Sequence, residues 1–215
     1  MEDLPTPQSE RDLLDRGLRE LDLQLLESQR AALLELAGQV ESWGARLNLS
    51  GHRDRQTILH RLILDAVALS TVLPASETIA DLGSGAGFPG LPLAILRPES
   101  WITLIDARQR RHFFQRAVIR ALRLENVESL WGRVEVLQPT PHALVVAQAL
   151  ANPTRALELM LPWAAPNALL AIPSAQAPPR PTLPAGLVAE KSLIYSVPCG
   201  GAARSVWIAR RSASG

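Results

Sequence analysis

The sequence predicts an α/β protein: a parallel sheet buried on both faces, preceded by a helical N-terminal extension. Three observations carry this. Apolar residues recur at helical spacing as far as Val72, short apolar runs alternate with helical segments from Thr78 onward, and a glycine-rich bend follows the first of those runs directly. At 215 residues and 47% hydrophobic, the chain is the size of one large domain with enough apolar side chains for a sizeable core. Intrinsic disorder is excluded for most of it.

Leu18, Leu21 and Leu25 recur at three and four residues. Ser28 is the expected cap of a second run, Leu33, Leu36, Val40, Trp43 and Leu47, which Gly44 and the segment Asn48-Leu49-Ser50-Gly51 should end. Asp54 is the expected cap of a third run, Ile58, Leu62, Asp65, Leu69 and Val72, stopping at Pro74. Ile79 to Leu82, Trp101 to Ile105 and Ala143 to Val146 read as strands of a parallel sheet, with helices Leu91 to Leu96 and Arg108 to Leu124 between them. Residues 173–186 are proline-rich and read as a loop, while Leu187 to Val197 and Ser205 to Ala209 read as a closing antiparallel pair. The expected division is an extension over 1–72 and a domain over 73–215, packed as one unit.

The net charge of +1 hides an asymmetry, with residues 1–41 at −6 and residues 42–215 at +7. The larger part allows an anionic partner without requiring one. Cys199 is the single cysteine, which excludes an intrachain disulfide framework and a zinc cage of several thiolates, and fits a reducing, cytoplasmic compartment. Met1 to Arg11 carries Glu2, Asp3 and Glu10 and no apolar run, unlike a secretory signal. No uncharged apolar stretch reaches the roughly 18 residues of a spanning helix, so no membrane association is expected. His52, His60, His112 and His142 are scattered without a partner pattern and read as surface or loop positions.

The most informative segment is Asp81-Leu82-Gly83-Ser84-Gly85-Ala86-Gly87-Phe88-Pro89-Gly90. Glycines between a strand and a helix let the backbone approach a ligand at the carboxyl end of the sheet. Gly85 to Gly90 fits the G-x-G-x-x-G of dinucleotide sites. The longer Asp-x-Gly-x-Gly-x-Gly string fits S-adenosylmethionine better, because Asp81 suits an ammonium group. Asp106, ending the second strand, suits ribose hydroxyls of either cofactor.

The string Asp81 to Ile95, with its Phe-Pro-Gly-Leu-Pro-Leu tail, resembles the signature of the bacterial 16S ribosomal RNA guanine-N7 methyltransferases, the glucose-inhibited division protein B family. Three segments resemble that family in order: Trp43 to Ser50, Asp106 to Phe114, and Arg133-Val134-Glu135. The resemblance implies a Rossmann-like methyltransferase sheet with a helical N-terminal extension, S-adenosylmethionine as methyl donor, and guanine N7 of 16S ribosomal RNA, free or in the small ribosomal subunit, as acceptor. It places cofactor contacts at Gly83, Phe88, Val134 and Glu135, the last two beside the adenine; Asp81, Gly85 and Asp106 join them on the chemistry above. A monomer is expected.

The departures from the family pattern are specific. Its Ser-Arg-Ala after the fourth strand is Ala147-Gln148-Ala149 here, its Lys-Gly step after the fifth strand is Pro173-Ser174, its Arg-His-Ile-x-Asp is Arg61-Leu62-Ile63-Leu64-Asp65, and its late Arg-His pair falls at Ala203-Arg204 or Arg204-Ser205. Lost cations weaken phosphate and guanine contacts more than cofactor contacts. The alternative reading is therefore a cofactor-binding but catalytically weak homologue that acts as an RNA-binding or ribosome-assembly factor. Arg116, Arg120 and Arg123 share one helix face, which meets RNA or is simply solvated.

Overall fold

A computed structural model describes residues 7–47, 54–175, 177–179 and 181–213. Seven strands form one sheet in the order β3-β2-β1-β4-β5-β7-β6. These are β1 (Thr78–Leu82), β2 (Trp101–Asp106), β3 (Val127–Trp131), β4 (His142–Val146), β5 (Ala164–Ser174), β6 (Leu187–Ser196) and β7 (Ala203–Arg211). The first five are mutually parallel, and β7 enters antiparallel between β5 and β6. Alternation along the inner strands sends Ile79, Ile102, Leu104, Leu144 and Val146 to one face and Ala80, Leu82, Ile105 and Val145 to the other.

The first face carries α1 (Pro7–Glu20), α2 (Glu27–Leu47), α3 (Arg55–Ile58), a π-helical turn over 59–63, α4 (Leu64–Val72), α5 (Gly90–Leu96) and α6 (Gln109–Ala121). The second is covered by α7 (Pro153–Met160) and Trp163. One cluster of buried side chains runs from Leu14 and Leu36 through Ile58 and Leu64 into Ile79, Leu104 and Phe114, so the N-terminal helices share the core of the sheet. Polar clamps reinforce this. Arg55 reaches Glu10 on α1 and Glu41 on α2, both at 3.3 Å, and the Gln29 amide donates to the Ile95 carbonyl at the end of α5.

Several boundaries differ from expectation. Leu21 and Leu25 lie in the connection after α1, where Asp22 adopts φ 53°, so their spacing with Leu18 does not mark one helix. Ser28 is inside α2; the Leu26 N–H ahead of it is accepted by the Gln29 side chain. Gly44 does not stop α2, which runs to Leu47; Asn48 to Gly51, and His52, lie outside the described residues. Asp54 does cap α3, accepting from the Thr57 N–H at 2.8 Å. The α6 helix spans 109–121, not 108–124, and β5 reaches Ser174, which shortens the proline-rich loop. His142 is a correction to the surface reading: it is buried on β4, with Nε2 3.0 Å from the Thr103 hydroxyl and Nδ1 2.5 Å from the Thr140 carbonyl, and burial lowers its pKa. Among the described residues no helix is long and apolar enough to cross a membrane.

Arg97 joins α4 to the sheet. Its guanidinium donates to the carbonyls of Ser70, Leu73 and Pro74 at 2.8–2.9 Å, closing the C-terminus of α4, where carbonyls lack helical partners. Replacing it by methionine leaves those groups without their donors. Arg97→Met should cost about 2 kcal/mol in urea unfolding, and an unchanged midpoint would show that water replaces the guanidinium without penalty.

Candidate functional site

In an open parallel sheet, ligands bind at the carboxyl ends of the strands where successive connections leave in opposite directions. Here that point lies between β1 and β4, and the glycine turn after β1 fills its mouth. The turn is tied back to β2: the Gly83 and Ser84 N–H groups both donate to the Ile105 carbonyl, at 2.8 and 3.0 Å. Gly83 and Gly85 hold φ of 72° and 60°, a region that side chains disfavour. The glycines divide by what a side chain would meet. A Cβ at Gly87 or Gly90 would strike Leu91 at 2.3 Å or Leu104 at 2.1 Å, so both serve packing. At Gly83 and Gly85 it would meet only the ends of Leu150 and Arg111, at 2.7 and 3.5 Å. These two present bare backbone beneath the ends of the Leu150 and Arg111 side chains.

Two carboxylates brace the turn. Asp106 Oδ2 accepts from the Gly85 N–H at 2.9 Å and from the Arg111 guanidinium at 3.2 Å, while Oδ1 accepts from the Arg108 N–H at 2.8 Å. Oδ1 retains capacity for a hydroxyl donor. Asp81 Oδ2 accepts from the Gly90 N–H at 2.9 Å. Its Oδ1 is buried and has no hydrogen-bond partner. Burial, with Asp106 nearby, pushes the Asp81 carboxyl up to about 8 despite the Gly90 hydrogen bond.

A third support enters from α6. The buried Gln115 amide donates to the Gly85 carbonyl and the Ser84 hydroxyl, both at 2.8 Å, and accepts from the Ser129 hydroxyl at 2.6 Å. A carbonyl can only accept, so Gly85 fixes the orientation of the amide. Ser129 then spends its proton on Gln115 and accepts from His112 Nδ1 at 2.8 Å. Sequence reasoning missed Gln115, although a polar side chain beside Phe114 and Val118 on a buried helix face is a readable signal.

The remaining expected residues separate. The Gly132 N–H donates to the Asp106 carbonyl, which brings the segment after β3 beside the turn. Val134 is buried against Leu82 and Ile105. Glu135 is exposed, and its carboxylate lies 3.8 Å from Arg155 on α7. Phe88, next to a cis peptide to Pro89, lines a recess of about 30 Å³ with Arg61, Leu62, Asp65 and Gln148. Two positions that depart from the family pattern, Leu62 and Gln148, thus share one wall. Arg204, another, pairs with Asp65 Oδ2 at 3.4 Å, and the Tyr195 hydroxyl donates to Asp65 Oδ1 at 3.1 Å. Burial raises the Asp65 carboxyl and Arg204 opposes the shift. Pro173 instead lies within β5, paired with Val206. Cys199 is half-buried, with the Arg16 guanidinium 3.4 Å from its sulfur. No metal-binding cluster occurs among the described residues.

A family profile described as rRNA small subunit methyltransferase G matches residues 29–177. Proteins named ribosomal RNA small subunit methyltransferase G are similar. The one from Vibrio campbellii is 38% identical over 60% of this chain and 61% of its own length, and that from Serratia proteamaculans is 38% identical over 70% and 71%. The match to the first spans about three fifths of that relative. Among solved structures, an S-adenosylmethionine-dependent methyltransferase from Aquifex aeolicus superposes with TM-score 0.52 at 21% identity, covering 72% of this chain and 93% of that one. TYW2 of Pyrococcus horikoshii, solved with MeSAdo, gives 0.53 at 12% identity, covering 71% and 63%. The fold is the Rossmann-like methyltransferase fold.

The Asp81 carboxyl is raised in the folded chain above its unfolded value near pH 4, so the neutral acid is the form that folding favours. Its contribution to stability is full below about pH 4 and is lost as pH rises through about 8. Asp81→Asn keeps an acceptor for Gly90 and cannot ionise. In denaturant titrations across this window the stability of wild type relative to the variant should fall with rising pH; a constant difference would place the proton elsewhere.

Proposed function

The chain belongs to the rRNA small subunit methyltransferase G family, and we propose on that premise that it transfers a methyl group from S-adenosylmethionine to guanine N7 of 16S ribosomal RNA. One observation carries the cofactor assignment: an unpartnered, buried Asp81 oxygen behind a turn whose half-buried Gly83 and Gly85 lie under the ends of the Leu150 and Arg111 side chains. An ammonium group answers that oxygen, since a cation favours the ionised carboxylate that burial disfavours. On this reading Gly83 and Gly85 lie against the amino-acid end, Asp106 Oδ1 accepts from a ribose hydroxyl, Phe88 closes the side toward the recess, and Val134 and Glu135 flank the adenine. Glu135 must then exchange Arg155 for the nucleoside.

The bound cofactor supplies a methyl group on a sulfonium sulfur. Guanine N7 carries a lone pair and no proton, so the chain needs no general base. Its residues have only to align the base and exclude water. The 1–72 extension and the 73–215 domain act as one unit in this proposal, as a monomer in the cytoplasm. Leu62 and Gln148 stand where the family pattern has cations or histidine, and they bear on substrate docking rather than on the cofactor.

Transfer of labelled methyl from S-adenosylmethionine to small ribosomal subunits, with the product read at guanine N7, tests the proposal. Label should enter 16S ribosomal RNA. Cofactor binding without transfer at saturating concentrations would support instead the catalytically weak, RNA-binding or assembly homologue.

Gly83→Val tests the pocket. A branched side chain at φ 72° costs about 1–2 kcal/mol of backbone strain and crowds Leu150. The fold should survive with a lowered Tm, while calorimetric binding of S-adenosylhomocysteine should vanish. Wild-type affinity in the variant would show that the nucleoside does not lie against this turn.

A further inference from the structure

We propose that the groove between α6 and the edge strand β3 binds the phosphate backbone of the RNA substrate, as an anchoring site separate from the cleft that takes the reacting base. This rests on the methyltransferase reading for the identity of the RNA, not for the existence of the groove.

The groove encloses about 770 Å³, and Arg116, Arg120 and Arg123 line it. Arg116 and Arg120, four residues apart, share one face of α6, whereas Arg123 lies two residues past its end at φ 52°, which corrects the expectation of a single helix face for all three; all three are exposed. Arg55, Arg111, Arg155 and Arg204 each hold a carboxylate. Among the described residues Arg116, Arg120 and Arg123 form no ion pair. Three such cations side by side repel one another, and an anion supplied from outside relieves that repulsion. From Arg116 to Arg120 the helix rises about 6 Å, a span of about two phosphates of one strand.

Two features favour a nucleic acid over another anion. Phe113 is 52% exposed on the same wall, and Trp43 also faces the groove, so flat apolar surfaces lie among the cations as a splayed base requires. The groove also joins the cofactor turn, because Ser129 in its wall hydrogen-bonds Gln115, which holds Ser84 and Gly85. The α6 helix begins three residues after Asp106, so a strand lying along α6 leads toward the cleft. Two acids also line the groove, Glu125 and Glu128; the second already accepts from the Thr103 hydroxyl at 3.0 Å. Because β3 is a sheet edge, an extended peptide is the competing occupant.

The test compares wild type with the triple variant Arg116→Gln, Arg120→Gln, Arg123→Gln in titrations of a labelled 16S ribosomal RNA fragment over a range of salt. At about 150 mM salt the variant should bind about tenfold or more weakly, and its salt slope should fall by about 2. S-adenosylhomocysteine affinity and kcat at saturating RNA should stay at wild-type values while KM rises. The corresponding triple lysine variant should restore the slope, which separates charge loss from damage to the fold. Unchanged RNA affinity and slope in the glutamine variant overturn the proposal, leaving the edge to a peptide. If wild type methylates RNA and the glutamine variant binds it equally well, only the groove is wrong. If binding depends on the three arginines but no methyl is transferred, the methyltransferase reading fails and the groove stands.

Discussion

Asp81 and Asp106 each accept a backbone N–H from the turn after β1, at Gly90 and Gly85 respectively, and the cleft exists because the turn is held at both ends. A bend with three glycines at positive φ has high conformational entropy when unfolded, and these anchors offset part of the cost of ordering it. They also differ in kind. Asp106 is shared among two backbone groups and a guanidinium. Asp81 is buried with one partner and keeps its proton at neutral pH. One acid therefore serves as scaffold with capacity to spare, and burial holds the other away from its ionised state.

The opposite wall is built from parts remote in sequence. Asp65 on α4 is met by Tyr195 from β6 and Arg204 from β7, and beside it Leu62 and Gln148 complete a recess next to Phe88. Where the family pattern places cations or histidine, this chain has an aliphatic group and an amide, while an arginine from the last strand reaches in from below. The charge of this wall is thus supplied by Arg61 and Arg204 rather than by the segment after β4.

Local pattern explains what was legible in the sequence. The inner strands β1, β2 and β4 are continuous apolar runs because both faces are covered, and the glycine turn stands out because its backbone conformation is written in residue type. The outer elements were harder to read. Strand β3 lies at an edge and sets Glu128 and Ser129 side by side among its apolar residues, and β5 contains Pro166 and Asn167, the latter at φ 64°, so neither shows a clean run. Within the site, Asp81, Gly83, Gly85 and Asp106 come together as their spacing implies. The Gln115 brace, 31 residues from Ser84, and the Tyr195 contact, 130 residues from Asp65, depend on packing that no local window contains. Glu135 was legible as a residue but not as a partner of Arg155.

The placement of β7 between β5 and β6 also bears on how the protein is made. During translation the glycine turn and its two acids leave the ribosome long before Arg204 does. A nascent chain stalled ahead of residue 203 has β5 as a raw margin and Asp65 without its guanidinium. A truncated product would thus carry the turn and the residues of the recess, but with Asp65 lacking its Arg204 partner and β5 lacking its β7 neighbour.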